Sequence, residues 1–372
     1  MNPTAHREVQ LASPAAAYPQ ALSSGQADAP PGNLLLRAGS FSVLVPSRSL
    51  VMALVAGALL ACAVVWSAAV GSFALPPRDA ARALLGQGAP TAILLIQQIR
   101  LPRIVAGLLA GAALGMAGCL TQTLARNRLA TPNTLGVNEG AAVAILLAVV
   151  SSGGTMGPWW VGPLGGLAAA VVLILLSGGP GTRGYRFLVV GIALSALIDA
   201  HVNLILAQQH TTTAAAVFAW TVGSLSGRGY MVAVPAGMAL AFLLPLVLLA
   251  ARPLSALQLG EEVAASLGVP VRRVQVVVML LAVALAGLAV GIGGPIGFVA
   301  MAAPILASRL VDPARVPLVL SGLLGALLVV AADTLGRVVA SPIEVPVGVV
   351  TSILGGPFLL WVLFRETSAR GF

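Results

Sequence analysis

Long apolar stretches separated by short polar connections dominate the chain from about residue 50 onward. A helix that crosses the hydrocarbon core of a membrane needs about 20 mostly apolar residues. Dividing the chain at its charged residues and Gly/Pro clusters predicts ten membrane spans, near 50–71, 103–124, 134–151, 159–177, 186–207, 231–250, 274–292, 296–309, 316–332 and 346–364. The third and eighth are short and contain Gly and Pro, which is typical of broken helices that line a cavity in channels and transporters. The pattern predicts an all-α, polytopic integral membrane protein, with a transmembrane domain over residues 49–372.

The first 48 residues differ in composition, being rich in Ala, Pro, Ser, Gln and Gly with little periodicity. Such segments bury too little apolar surface to fold alone. The segment also lacks the early basic region and short apolar core of a cleaved signal peptide, so 50–71 is predicted to be a true span. Residues 1–48 are therefore expected to form a disordered cytoplasmic N-terminal tail.

The distribution of arginine predicts the orientation. With ten spans both termini lie on the same side, and a cytoplasmic N-terminus places fourteen arginines inside and six outside. Cytoplasmic connections of membrane proteins carry the excess of positive charge. Both termini are therefore expected in the cytoplasm.

Composition excludes several classes of function. The chain is 58% apolar and 8% charged, whereas soluble proteins have about 25% charged residues. All 20 basic residues are arginine, and the absence of lysine excludes a P-loop and Schiff-base catalysis within this chain. The arginines are scattered between apolar stretches, so the net charge of +9 does not indicate nucleic-acid binding. No catalytic residue, bound metal or cofactor is expected, and any energy-driven work requires another chain.

Polar residues within the predicted spans are few, and three stand together in the fifth: Asp199, His201 and Asn203. A charged group at membrane depth normally faces a cavity or a partner. Two interpretations stay open, a polar lining of a translocation path and a hydrogen-bonded cluster between helices. A metal site at His201 and His210 is a weaker hypothesis, because no Cys or carboxylate completes a ligand set.

The sequence Arg-Leu-Pro-Arg at 100–103 places two arginines at the predicted start of the second span. Proline suits the first turn of a helix, and positive charge is disfavoured at a helix N-terminus. Arg100 and Arg103 also lie on the side that the positive-inside rule disfavours. These placements predict an external anionic partner, the alternative being arginines that extend to lipid headgroups.

A third feature lies between the sixth and seventh spans, on the predicted cytoplasmic side. Leu259, Val263 and Leu267 repeat at helical spacing. Glu261 and Glu262 follow Gly260 in the first turn, where the helix dipole favours acidic residues, and Gly268 stands where a helix ends. A helix lying on lipid usually carries basic residues on its polar face, so this one is predicted to dock on protein. The alternative is an ordinary solvated connector.

At these motifs the sequence resembles the FecCD-type permease subunits of bacterial ABC importers for iron-siderophores, haem and cobalamin. The matching stretches are RLPRIVAGLLAGAALGMAGCLTQTLARNRLATPNTLGVNEGAAVA (100–143), VGSLSGRGY (222–230), LGEEVAASLGV (259–269), GGPIGFVAMAAPILASRLV (293–311) and VPVGVVTSILGGPFLLWVLFR (345–365). The similarity covers almost everything after residue 50. One departure is that the family often has Pro-His after GPIGF, whereas here Pro304 is followed by Ile305.

The resemblance implies a type II ABC importer permease in the bacterial inner membrane. It implies pairing with a second permease subunit, as a homodimer or a related heterodimer, with two cytoplasmic ABC ATPases and with an extracytoplasmic substrate-binding protein. By position it assigns Arg100, Arg103 and Arg337 to docking of the binding protein, and 259–269 to the coupling helix that enters the ATPase.

The expected substrate is an iron(III)-siderophore, because GSLSGR and LGEEVAASLGV are most similar to siderophore permeases. A haem or cobalamin permease of the same family is the alternative. An ion-coupled secondary transporter with Asp199 as its coupling site, and a membrane scaffold without transport, are hypotheses from other classes.

Overall fold

The structure is a computed structural model that describes residues 33–38, 41–71, 73–152, 158–176, 184–208, 220–311, 315–339 and 343–369. The chain divides into two compact units, Met1–Ser47 and Arg48–Phe372. In the first unit, strands β1 (Asn33–Ala38) and β2 (Phe41–Pro46) pair antiparallel. This pairing differs from the irregular tail expected there. The local reason is that Leu and Val flank a Gly-Ser pair, a hairpin signal that the average composition of the tail conceals.

Among the described residues of the second unit, the regular secondary structure is helical. Its α-helices are α1 (Ser47–Ala69), α2 (Pro77–Leu84), α3 (Pro90–Leu94), α4 (Leu101–Ala125), α5 (Val137–Ser151), α6 (Val161–Leu176), α7 (Gly184–Ala207), α8 (Tyr230–Gln258), α9 (Glu261–Ser266), α10 (Val271–Gly293), α11 (Val299–Leu310), α12 (Leu318–Val339) and α13 (Val347–Ala369). Five apolar stretches are long enough to cross a membrane and five are shorter. Each predicted span coincides with one of them, which confirms the all-α polytopic fold.

The second span begins earlier than the sequence predicts. Helical backbone runs without a break over Pro90–Ala125, through α3, a π-helical segment (Leu95–Arg100) and α4. Pro102 lacks the N–H that an α-helix would bond four residues back, and the N–H of Leu101 instead bonds to Ile96. The wider turn before the proline lets the helix continue. Arg100 and Arg103 therefore do not flank a helix N-terminus.

The core of this unit is built around α4, which packs against α8, α10, α11 and α12. Where α4 crosses α12, the main chains of the two helices are in direct contact. A Cβ on Gly111 would collide with the backbone of Gly325, and a Cβ on Gly325 would collide with that of Gly111. Small residues let membrane helices approach this closely. The sequence Gly-x-x-x-Gly-x-x-x-Gly over 107–115 thus places the backbone of α12 directly on α4.

The third and eighth predicted spans correspond to α5 and α11, which are among the five shorter apolar helices of the described chain. Before α11 the chain turns at Phe298, whose φ of +68° is rare for a residue with a side chain. Its ring packs edge-on against Phe358 at 5.1 Å. Pro304 and Ile305 are both buried within α11, so Ile305 is part of the core.

Candidate functional site

Arg103, in the first turn of α4, binds two carboxylates from distant parts of the chain. Its Nε and Nη2 donate to the carboxylate of Asp333 at 3.1 and 2.9 Å, and its Nη1 donates to Glu344 at 2.7 Å. Arg337 lies one turn after Asp333 on α12 and contacts the same carboxylate at 3.3 Å. Ser226 donates to Glu344 at 3.2 Å. These contacts join α4 and α12 to the two connections that precede α8 and α13.

Arg100 and Arg337 close the C-terminal end of α1. Arg337 donates to the backbone oxygen of Ser67 at 3.2 Å and to its hydroxyl at 2.6 Å. Arg100 is 7% exposed and donates to the backbone oxygens of Ala68 and Phe73. The last carbonyls of a helix have no partner within it and carry partial negative charge. The guanidinium groups supply both the missing hydrogen bonds and the opposite charge.

The three arginines predicted for docking are thus brought together, and each has internal partners. Asp333, Glu344 and the end of α1 account for the positive charge that the sequence left without an anion. Their side chains also line a cavity of about 470 Å³ that opens beside them. We refer to this group, together with Arg228, Asp333 and Glu344, as the arginine cluster.

Arg228 lines the same cavity. Unlike Arg103 and Arg337 it has no ion-pair partner in the described part of the chain, and its Nε, like that of Arg337, is buried without a hydrogen bond. Burial lowers the pKa of the Arg228 guanidinium below its ordinary value, although arginine stays charged in proteins. Burial alone would raise the pKa of the Glu344 carboxyl, but the hydrogen bond and charge of Arg103 hold it below the ordinary range. Four arginines and two carboxylates leave the cluster positive, and among the described residues only Arg103 and Arg337 of its arginines contact a carboxylate.

The predicted docking helix is present but shorter than expected. Gly260 has a φ of +121°, which only glycine adopts readily, and it separates α8 from α9. Leu259 therefore ends α8, and Leu267 follows α9 instead of lying within it. Gly268, with a φ of +81°, ends the segment as predicted. We refer to residues 259–268 as the coupling segment.

The coupling segment exposes its apolar side chains. Leu259, Val263 and Leu267 are 66%, 45% and 63% exposed, whereas Ala264 packs inward and is fully buried. Glu261 and Glu262 are also exposed, in the first turn of α9. Glu261 accepts a hydrogen bond at 2.9 Å from Gln275 of α10. Exposed apolar side chains beside paired acids form a surface suited to a protein partner.

The polar residues of the fifth span are all exposed on α7. Asp199, His201 and Asn203 are exposed, while Val202 between them is buried. His201 bonds through Nδ1 to the backbone oxygen of Leu197 at 2.8 Å. His210, the second histidine of the metal hypothesis, lies outside the described residues, and no group of three or more potential ligands occurs among the described ones.

Sequence reasoning missed four participants. Ser226, Arg228, Asp333 and Glu344 complete the arginine cluster, yet Asp333 is 230 residues from Arg103. A carboxylate in the apolar stretch 318–339 is costly in a membrane, and this is the signal that could have identified Asp333. Glu139 was also missed; it interacts electrostatically with Asp199 and has one buried carboxylate oxygen without a hydrogen bond in the described chain.

Comparison with known proteins gives consistent matches over most of the chain. The FecCD transport family matches residues 50–365. The ferric enterobactin transport system permease of Escherichia coli is 32% identical over 88% of this chain and 100% of its own length. The hemin transport system permease of Yersinia pestis is 35% identical over 73% of this chain and 84% of its own. A solved structure described as an inward-facing metal-chelate type ABC transporter has a TM-score of 0.76 at 25% identity, covering 85% of this chain and 99% of that one.

Proposed function

The chain belongs to the FecCD transport family, and from that premise we propose that it passes an iron(III)-siderophore across the inner membrane. It is a multi-pass permease subunit of an ABC transporter and not an enzyme, with a separate ATPase as partner. Membership of this class makes the secondary-transporter and scaffold hypotheses unnecessary. The class does not specify the substrate, which is our proposal.

The substrate proposal is supported by what the relatives carry. Related permeases are described for ferric enterobactin, achromobactin, iron(III)-hydroxamate and ferric citrate, and one is described for hemin. Ferric chelates are the shared chemistry. A haem permease is the second candidate because the hemin relative is 35% identical.

We assign ATPase docking to the coupling segment. Its exposed leucines and valine offer a small apolar surface, and the glycines at both ends let it turn away from α8 and α10. Such side chains bind in grooves of partner proteins through their apolar faces. Glu261 and Glu262 would then face polar groups at the edge of that groove.

We assign docking of the extracytoplasmic binding protein to the arginine cluster. Arg100, Arg103 and Arg337 were expected to meet acidic groups, but their internal contacts make them the frame of the cavity. Arg228 lines the cavity without an ion-pair partner in the described chain, and its Nε is buried without a hydrogen bond. An acidic side chain of the binding protein entering the cavity would pair with Arg228.

Three further assignments are part of this proposal. Asp199, His201 and Asn203 are exposed on α7, and a second permease subunit, identical or related, would enclose them in a translocation path. Both termini lie in the cytoplasm, as the arginine distribution suggests. The segment before α1 remains a cytoplasmic tail in this proposal.

An uptake panel tests the function. The chain is produced with its ATPase and binding protein in bacteria lacking other iron-chelate importers, and radiolabelled catecholate, hydroxamate and citrate chelates are compared with hemin. We expect ATP-dependent accumulation of one or more ferric siderophores. Uptake of hemin alone would favour the second candidate and overturn the siderophore assignment.

A further inference from the structure

The cytoplasmic end of α4 is closed by an arginine in an uncommon backbone conformation. Arg126 follows the last residue of α4 with φ +49° and ψ +32°, in the left-handed region that favours glycine. Its N–H bonds to the oxygen of Thr123 at 3.3 Å, and the N–H of Asn127 bonds to that of Gln122 at 3.1 Å. Glycine is the usual residue at this position of a helix end. An arginine there has a conformational cost that glycine would not have.

The side chain of Arg126 reaches the end of a second helix. Its Nη2 donates to the backbone oxygen of Leu257 at 2.6 Å. Leu257 lies in the last turn of α8, and the same oxygen accepts the N–H of Gly260 at 3.2 Å. Hydrogen bonds from a charged donor are among the strong ones. One side chain thus ties the end of α4 to the end of α8, two residues before the coupling segment begins.

The two helix ends joined by Arg126 both belong to the packed core of the second unit. One turn before Arg126, Gln122 of α4 donates to the backbone oxygen of Met301 in α11 at 3.1 Å. Leu257 at the end of α8 is 5% exposed, and within the coupling segment Ala264 is fully buried. Beyond Leu257 the chain turns at Gly260, whose φ is +121°. The contact from Arg126 therefore joins α4 to the last core-packed turn before the coupling segment.

We propose that Arg126 is a positioning residue for ATP-driven transport, because its bond to Leu257 makes the end of α8 and the coupling segment move together with α4. The inference rests on the proposed function, since it takes the coupling segment to be the docking element of the ATPase. Coupling between distant sites needs an element that both sites bias. Without the bond, the coupling segment follows the ATPase while α4 stays in place.

The test uses the complete transporter in lipid vesicles, with its ATPase, its binding protein and the labelled ferric chelate that the uptake panel identifies. Arg126→Gly removes the guanidinium while suiting the left-handed backbone, so the helix end is not strained. We expect normal assembly with the ATPase and a melting temperature no lower than wild type. Chelate transported per ATP hydrolysed should fall about tenfold, as expected for loss of one charge-assisted hydrogen bond.

Two further variants separate the bond from general charge. Arg126→Lys keeps a cationic donor and should recover part of the loss, whereas Arg272→Gln removes an exposed arginine from α10 and should leave transport per ATP unchanged. Arg126→Gln replaces the glycine variant if that one does not assemble, with the same lowered ratio expected.

Wild-type transport per ATP in Arg126→Gly would overturn the inference and leave Arg126 as a helix cap. An equal loss in Arg272→Gln would overturn it too, because the effect would then belong to cytoplasmic charge. A wild-type chain that binds no ATPase would refute the proposed function itself, and this inference with it.

Discussion

The arginines of the cluster show how one residue type takes different roles within a few ångströms. Arg103 neutralises two carboxylates, Arg100 closes a helix end, and Arg337 does both. Arg228 has no ion-pair partner in the described chain. Removing a paired arginine leaves a buried carboxylate uncompensated, which is strongly destabilising. Removing Arg228 leaves no carboxylate of the described chain without its partner.

Reversing the charge of Arg228 should impair capture of the binding protein without unfolding the permease. Arg228→Glu is expected to slow association several-fold and to reduce its dependence on salt, because charge complementarity steers encounter. Arg78→Glu reverses an exposed arginine of α2 that is not part of the cavity lining and serves as the control. Association is measured with immobilised permease. Equal rates for the two variants would remove Arg228 from the docking surface.

A triple charge reversal at Arg100, Arg103 and Arg337 does not separate docking from folding as cleanly as the sequence suggests. A glutamate at position 103 would stand beside Asp333, whose side chain is 6% exposed. Loss of binding in that triple variant would therefore mix lost docking with lost folding.

Glu344 should make stability depend on pH. Its pKa is lower in the folded chain than the ordinary value near 4.5, so its stabilisation is fully present above that value and is lost as the pH falls through the lowered folded pKa. Glu344→Gln should cost about 0.2–1 kcal/mol at neutral pH, the range for exposed ion pairs. The melting temperatures of variant and wild type should converge once the pH is below the lowered folded pKa of Glu344. A gap that persists there would mean that the lost charge is not its cause.

At the scale of elements, the crossing of α4 with α12 is a contact between main chains with no room for an added methyl group. Gly111→Ala should destabilise the permease by about 1–3 kcal/mol, because the added methyl meets backbone that cannot rotate away. Gly57→Ala is the control, since nothing lies within 4 Å of a Cβ there. It should be neutral or stabilising, because alanine favours a helix over glycine. Equal melting temperatures for both variants would contradict the close crossing.

The coupling segment gives a second prediction at this scale. Leu259→Ala combined with Leu267→Ala should weaken co-purification with the ATPase and reduce uptake at least as much. Truncating a buried leucine costs about 2–5 kcal/mol in a tight core, and an interface that readjusts loses less. If the segment lay on lipid, this variant would behave as wild type and Glu261→Arg with Glu262→Arg would be harmless. Normal uptake in both double variants would make the segment a connector.

The sequence predicts elements better than partners. Apolar stretches between charged residues and Gly/Pro clusters were enough to locate all ten apolar helices, although only five of these in the described chain have the length that the bilayer requires. The π-helical start of the second span was hidden by Pro102, which normally marks a helix beginning. The partners of Arg103 could not be derived, since Asp333 and Glu344 are more than 200 residues away and only the packing of α4 on α12 brings them close. The docking roles of the cluster and the coupling segment stay predictions.

For the whole molecule, the absence of lysine separates transport from energy supply. We expect the purified chain to hydrolyse no ATP, because a P-loop requires lysine to bind the phosphates. Co-expression with its ATPase should yield a complex that does hydrolyse ATP, with activity raised by the loaded binding protein. A phosphate-release assay on the isolated chain and on the complex is the measurement. Turnover by the chain alone would contradict the division of labour.

The crossing at Gly111 and Gly325 also bears on how this sequence can change over generations. Every alternative to glycine adds at least a Cβ, and at these positions the space is already filled by the main chain of the facing helix. No substitution at either position is conservative. A larger residue at one position cannot be compensated by a smaller side chain on the facing helix, because the facing residue is also a glycine. Substitutions should accumulate at Gly57 on the exposed helix α1, whereas they should be eliminated at Gly111 and Gly325 in the centre of the fold.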